Sequence, residues 1–124
     1  MSRHASCRLV DRDTGSVVTA RLEVPRSMLG RGLGLMFRSR VEPDAGMWIN
    51  PGNGIHMFGM RFAIDAVFLD RDLRVVRIIS NLRPWRVVPL VRRARSVVEL
   101  PAGGAAEAGL RVGSALAVVA ETEA

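Results

Sequence analysis

Alternating apolar and polar residues predict a chain built mainly from short β-strands. In residues 17–24 every second residue is apolar, which is typical of a strand with one buried face. In residues 63–69 both faces are apolar, so we expect this segment in the interior of a sheet. Further strands are predicted at residues 47–49, 74–79, 96–100 and 115–120.

Two segments between these strands are less regular. If residues 55–58 are extended, His56 and Phe58 lie on one face of the chain, with Ile55 and Met57 on the other. Residues 81–90 contain Pro84, Trp85 and Pro89, and this composition predicts an irregular loop.

Helices are predicted at two places. Ser27 can cap a helix through residues 28–37, although each glycine inside it costs about 1 kcal/mol relative to alanine. A single turn is expected at residues 105–108, with Gly109 as its C-terminal cap. Together with the strands, this predicts a β-rich α+β fold: a small barrel-like antiparallel or mixed sheet of about six or seven short strands, with one main short helix.

Length and composition indicate one domain. The chain has 124 residues, of which 48% are hydrophobic, and this suffices for one core. We expect a flexible N-terminal tail at residues 1–16, a single domain at 17–120 and a C-terminal tail at 121–124.

With Cys7 as the one cysteine, an internal disulfide is excluded. The arginine-containing N-terminus lacks the apolar stretch of a signal peptide, and no run reaches the roughly 20 apolar residues of a membrane helix, so we expect a soluble, cytoplasmic protein.

The net charge of +6 raises the question of nucleic-acid binding. All 18 basic residues are arginines, and they are spread from Arg3 to Arg111. Their densest cluster is Arg92, Arg93 and Arg95, and the aromatic residues do not interleave with the arginines along the sequence. This pattern favours a solvated basic face, which makes nucleic acid an unlikely partner. A weak electrostatic interaction with nucleic acid through the cluster is an alternative.

The stretch from Gly54 to Asp70 contains the residues that could carry chemistry. His56 could act as a general base that Asp65 orients, which would make the protein an enzyme of unknown reaction. No serine lies in a Gly-x-Ser-x-Gly elbow to supply a nucleophile. One histidine with Asp65 and Asp70 gives too few convergent ligands for a metal, so neither a metal site nor a cofactor is predicted.

Asp65 also has a structural interpretation. A carboxylate among apolar residues needs partners, and Arg61 or Arg77 could supply an ion pair that fixes the strand register. Alternatively, His56, Arg61, Asp65 and Trp85 could together bind a ligand, because a tryptophan in a loop is a common binding anchor.

Three blocks of the sequence carry a resemblance to a known family. They read GLGLMFRSR at residues 32–40, IHMFGMRFAIDAVFLDRD at 55–72 and SVVELPAGGAAEAGLRVGS at 96–114. In this order and spacing, the chain resembles domain of unknown function 192 over residues 17–118, nearly its whole length. The second block matches the family pattern at His56, Gly59, Met60, Arg61, Phe62, Ile64 and Asp65, while Met57 and Ala63 stand where threonine and proline are usual.

The resemblance implies a small, mostly β fold and supplies no catalytic residues, since the family has no established activity. Our leading hypothesis is therefore a non-enzymatic binding or accessory module. Its partner would be a small ligand or another protein, and the oligomeric state is left open.

Overall fold

The computed structural model describes residues 4–25 and 42–120, and this part of the chain contains nine strands and one short helix. The elements in chain order are β1 (His4–Asp11), β2 (Val17–Pro25), β3 (Ala45–Ile49), β4 (Ile55–His56), β5 (Ile64–Leu69), β6 (Val75–Leu82), β7 (Val87–Val88), β8 (Ser96–Pro101), α1 (Gly104–Glu107) and β9 (Leu116–Ala120). The predicted β-rich architecture is confirmed. The main helix predicted at residues 28–37 lies outside the described residues.

Seven strands form one curled sheet in the order β6-β5-β8-β3-β2-β1-β9. All neighbours are antiparallel except β2 and β3, which run parallel, so the sheet is mixed. Its two edges meet at one end, where Arg74 pairs with Ala115 and the Val75 amide donates to the Ser114 carbonyl at 2.9 Å. The sheet is therefore curled into a half-barrel whose two edges approach each other at this end. β4 and β7 pair separately as a two-stranded ribbon.

Strand β1 corrects the prediction of a flexible tail over residues 1–16. It lies inside the sheet, paired with β2 on one side and with β9 on the other. Cys7, Leu9 and Asp11 are buried on one face of the strand, whereas Arg8 between them is exposed. With only two apolar residues among these buried positions, the alternation was too weak to predict the strand.

Strand β5 divides the core in two. All six of its residues are buried, as its two-sided apolar pattern predicts. Ile64, Ala66 and Phe68 face an outer cluster, which includes residues of β3, β8 and the segment around Met57. Val67 and Leu69 face an inner cluster inside the half-barrel, formed with β1, β2, β9 and α1. Both faces of this strand thus help to hold the fold together.

The ribbon formed by β4 and β7 covers the outer cluster. Met57, directly after β4, is fully buried there, and Ile55 and Val88 pack against the same cluster. The segment at residues 81–90, predicted as an irregular loop, begins with the end of β6 and contains β7. No helix among the described residues is long or apolar enough to cross a lipid bilayer.

Candidate functional site

Asp65 is completely buried, and its carboxylate is held by backbone amides. Its Oδ1 accepts a hydrogen bond from the Asn81 amide and its Oδ2 one from the Ala105 amide, each at 2.9 Å. Asn81 has φ of +54° and lies where the β5–β6 register shifts, between the pairs Ile64–Leu82 and Ala66–Ile79. Ala105 is in the first turn of α1, whose amides have no partners within the helix. Asp65 thus ties a β-bulge and the start of α1 to β5.

These bonds correct the predicted ion pair of Asp65 with Arg61 or Arg77. Both arginine side chains are exposed, and within the described ranges neither lies at ion-pair distance from Asp65. Arg77 pairs with Phe68 across the β5–β6 ladder, three residues along β5 from Asp65, and its side chain points to solvent. The partners of the buried Asp65 carboxylate are backbone amides rather than guanidinium groups.

The ribbon has one buried and one exposed face. His56 pairs with Val87, the Met57 amide donates to the Arg86 carbonyl at 2.8 Å, and the Trp85 amide donates to the Met57 carbonyl at 2.8 Å. Since side chains alternate along extended chains, Met57 points into the core, while His56, Phe58, Trp85 and Val87 are exposed.

Three rings on the exposed face form a continuous aromatic row, consisting of His56, Phe58 and Trp85. The centroids of His56 and Phe58 are 5.3 Å apart with an interplanar angle of 32°, and those of Phe58 and Trp85 are 5.9 Å apart at 37°. These separations are typical of interacting aromatic pairs. Phe58 is 47% and Trp85 67% exposed, and the apolar side chains of Val87 and Leu90 are exposed next to them in the chain. The row is therefore an apolar surface open to solvent.

Backbone constraints hold the row in place. Trp85 has φ of +69°, a left-handed conformation that costs a non-glycine residue about 1–2 kcal/mol. Its hydrogen bond to Met57 fixes this conformation. At Gly54, a Cβ atom would lie 2.5 Å from the Pro89 carbonyl oxygen and 2.7 Å from that of Val88. Only glycine therefore lets the chain before β4 pass so close to β7.

Three arginines lie close to the aromatic residues in the sequence. Arg86 is bonded through its backbone to Met57, Arg83 precedes Trp85 by two residues, and Arg61 follows the turn in which the Met60 amide bonds to the Met57 carbonyl. All three of these arginine side chains are exposed. Three exposed arginines thus flank the aromatic residues in the sequence.

The structure separates the two residues of the predicted acid–base pair. Both carboxylate oxygens of Asp65 accept amide hydrogen bonds inside the core, whereas His56 is exposed and stacks on Phe58. Within residues 4–25 and 42–120 there is no hydrogen bond between them, and no group of three or more histidine, cysteine, aspartate or glutamate side chains could hold a metal ion. Of the four residues predicted to bind a ligand, the structure brings together His56 and Trp85, each in ring contact with Phe58, while Arg61 is exposed and Asp65 is buried.

Phe58, Val87 and Leu90 were missed as members of this surface. The sequence did contain a signal for Phe58, because an extended segment at residues 55–58 places it beside His56. Trp85 and Val87 are 27 or more positions further along the chain, and their pairing with residues 56–58 is a tertiary contact. Without a predicted β7, the two halves of the surface could not be joined.

Comparison with known proteins places the chain in a family without an assigned activity. The model of domain of unknown function 192, described as "Uncharacterized ACR", matches residues 9–118. A UPF0127 protein of Pyrococcus horikoshii is 37% identical over an 87-residue alignment that covers 66% of this chain and 73% of that protein. A UPF0127 protein of Thermococcus sibiricus is 33% identical over a 100-residue alignment that covers 77% of this chain and 64% of that protein.

Two crystal structures share the fold. A protein of unknown function from Novosphingobium aromaticivorans has a TM-score of 0.77 and 23% identity, covering 92% of this chain and 84% of that one. A Sinorhizobium meliloti protein, provisionally described as a transcription regulator, has a TM-score of 0.78 and 24% identity, covering 93% of both chains. At such identities the likeness establishes the fold alone. From the family match over residues 9–118, the chain belongs to the domain of unknown function 192 family.

Proposed function

We propose that this protein is a non-enzymatic binding module, and that its partner is another protein that docks on the aromatic row. The observation that carries the proposal is the row itself: His56, Phe58 and Trp85 are in ring contact and exposed on the outer face of the ribbon. Exposed contiguous apolar surface is costly to maintain in water, and where it occurs it commonly marks an interaction site.

The conformation of Trp85 supports this role. A bulky residue in the left-handed region is strained, and such strain persists where the surroundings enforce it, often at binding sites. Here the backbone hydrogen bond to Met57 enforces it, and the indole is left 67% exposed. The fold thus stabilises a tryptophan that contributes little to its own core.

A protein partner fits this surface better than a small molecule. Small ligands bind mostly in concave pockets that surround them. Among the described residues, a cleft of about 450 Å³ and two cavities of about 270 Å³ each are lined by residues other than those of the row. Tryptophan, phenylalanine and arginine are enriched at protein interfaces, and the exposed Arg61, Arg83 and Arg86, which flank the aromatic residues in the sequence, would match acidic residues on the partner.

The same geometry gives less support to a catalytic role for His56. An acid–base mechanism would need a group that orients the His56 imidazole. The carboxylate predicted for this task, Asp65, uses both oxygens to hold the bulge and the start of α1. His56 instead contributes to the row as a flat ring against Phe58.

The test combines capture with a measured affinity. Wild type, the double variant Phe58→Ala/Trp85→Ala and the control Val17→Ala would serve as baits in lysate of the source cells, followed by quantitative mass spectrometry. Val17 is 48% exposed on β2, so the control also removes exposed apolar surface. A protein retained by wild type and the control, but not by the double variant, would then be purified and titrated calorimetrically.

We expect one-to-one binding that the double variant weakens by at least about 30-fold, because an interface tryptophan commonly contributes 2 kcal/mol or more. The control should bind within about twofold of wild type. Equal affinities of wild type and the double variant would overturn the proposal. So would dimerisation through the row in sedimentation experiments, or tight row-dependent binding of a single-stranded oligonucleotide, since bases also stack on exposed aromatic side chains.

A further inference from the structure

A cleft of about 450 Å³ lies at the seam where the two edges of the half-barrel meet. Its lining includes Arg74, Arg92 and Arg93 together with one carboxylate, that of Asp70. Three positive charges and one negative charge give this lining a net formal charge of +2. The cleft is distinct from the aromatic row, and none of its lining residues belongs to the ribbon.

The fold brings these arginines together from distant parts of the chain. Arg74 precedes β6, and its Nη1 donates to the Gly113 carbonyl across the seam at 3.3 Å. Arg92 and Arg93 lie in the loop before β8, which is tied to the end of β5 by a 2.7 Å hydrogen bond from the Arg95 amide to the Leu69 carbonyl. The fold therefore adds Arg74, at the seam, to the adjacent pair Arg92 and Arg93.

The positive charge of the cleft is not neutralised locally. The Asp70 Oδ1 accepts hydrogen bonds from the Asp72 and Arg74 amides at 2.8 and 2.9 Å, which commits it to the turn before β6. Within the described part of the chain, no ion pair involves Arg92 or Arg93. Guanidinium groups gathered in a concave site without carboxylate partners are suited to bind an anion.

We propose that this cleft binds a small phosphate monoester. A phosphate monoester carries close to two negative charges at neutral pH, which matches the net +2 of the lining, and its three terminal oxygens can accept from three guanidinium groups. The walls also include Val75, Val76 and Val112, so the cleft offers apolar contact for the organic part of the ligand. A volume of about 450 Å³ is within the usual range of roughly 300–1,000 Å³ for small-molecule sites.

The test uses phenyl phosphate, which combines a dianionic phosphate with an apolar ring. Its dissociation constant would be measured by NMR titration of ¹⁵N-labelled protein, with inorganic phosphate and the uncharged benzyl alcohol as comparison probes. The variants are Arg92→Gln/Arg93→Gln and the control Arg8→Gln, which removes an exposed arginine on β1 outside the cleft. Glutamine keeps a long polar side chain, and the positive φ of Arg93 is strained with either residue.

We expect phenyl phosphate to cause saturable chemical-shift changes at residues 70–76 and 112–114 of the wild type. Its dissociation constant should rise at least tenfold in Arg92→Gln/Arg93→Gln and stay within twofold of wild type in Arg8→Gln. Phenyl phosphate should bind several-fold more tightly than inorganic phosphate, and benzyl alcohol should not saturate. The proposal is overturned if no saturation occurs below 10 mM (about the weak limit for a specific site), or if Arg8→Gln weakens binding equally. It is also overturned if a single-stranded oligonucleotide shifts the same residues at tenfold lower concentration.

Discussion

Asp65 and the aromatic row come from the same stretch of sequence and lie in opposite environments. Asp65 is polar and fully buried in β5, with both carboxylate oxygens bonded to backbone amides. Phe58 and Trp85 are apolar, and they are 47% and 67% exposed on the ribbon. Each residue lies where its own transfer free energy is unfavourable, so each needs a compensating interaction.

The two compensations differ in kind. For Asp65 the compensation is internal, because its hydrogen bonds complete a bulge and the first turn of α1. For the aromatic row, ring contacts remove only part of the exposed apolar area, and a docked partner would remove the rest. A buried polar group with all its bonds made is evidence of a structural role, whereas an exposed apolar group held in a strained backbone is evidence of a binding role.

Replacing Asp65 should produce the largest loss of stability. Asp65→Ala leaves the buried Ala105 amide and the partly buried Asn81 amide without their acceptors, and we expect the free energy of unfolding to fall by about 2–5 kcal/mol. Urea denaturation followed by circular dichroism measures this change. Asp65→Asn, which keeps one acceptor oxygen, should lose less, and the exposed Asp72→Ala is the control. A loss below 1 kcal/mol for Asp65→Ala would contradict its role as a structural link.

Gly54→Ala tests whether the ribbon needs the close approach at its start. The added Cβ would overlap the carbonyl oxygens of Val88 and Pro89, so we expect a loss of about 1–3 kcal/mol in the free energy of unfolding. Gly52→Ala is a matched control two residues away, since a Cβ there meets Ile49 at 3.7 Å, an ordinary contact. Equal stabilities of the two variants in urea would show that β7 can move away at little cost.

Removing the rings should affect stability little, in contrast to removing Asp65. For Phe58→Ala/Trp85→Ala we expect the free energy of unfolding to fall by at most about 1 kcal/mol. The two side chains are 47% and 67% exposed, so the substitutions remove mainly the contact between their rings. The same denaturation experiment provides the measurement. A loss comparable to that of Asp65→Ala would assign the rings to the core and remove the distinction between the two regions.

The smallest effect is expected at a surface ion pair remote from both regions in the chain. Arg21 contacts Asp44 through Nη2–Oδ1 at 2.8 Å and Nε–Oδ2 at 3.1 Å, and this hydrogen bonding lowers the pKa of the Asp44 carboxyl. A lowered pKa in the folded state stabilises the protein above the unfolded pKa, and the gain is lost as pH falls through the folded pKa. Asp44→Asn should therefore differ slightly from wild type at neutral pH and low salt. Melting curves should show that difference vanish in acid and shrink at high salt.

The sequence was most informative where one segment alone determines the structure. The two-sided apolar run at residues 63–69 predicted β5 as an interior strand, and Gly109 was predicted as the cap after α1, where it has φ of +72°. Strand β1 was not predicted because its buried face, formed by Cys7, Leu9 and Asp11, contains only two apolar residues. Local periodicity therefore predicts strands well when their buried face is continuous.

The sequence was least informative where two segments must meet. The amides that bind Asp65 come from residues 16 and 40 positions away, and a backbone amide has no residue type by which a sequence could reveal it. An arginine was the natural partner to predict, since only side chains are visible in the sequence. For the same reason Trp85 could be predicted as a binding residue, but its contact with Phe58 depends on the pairing of β4 with β7.

The accessibility of Trp85 is the most direct test of the aromatic row as a binding surface. In the variant Trp48→Phe, Trp85 is the remaining tryptophan, and its fluorescence can be quenched with acrylamide. If the row is open, the emission maximum should lie near that of free tryptophan in water, with a quenching constant within about twofold of the free amino acid, as expected for an indole that is 67% exposed. A blue-shifted emission that acrylamide barely quenches would mean that the row is already covered within the protein, and would contradict its role as a docking surface.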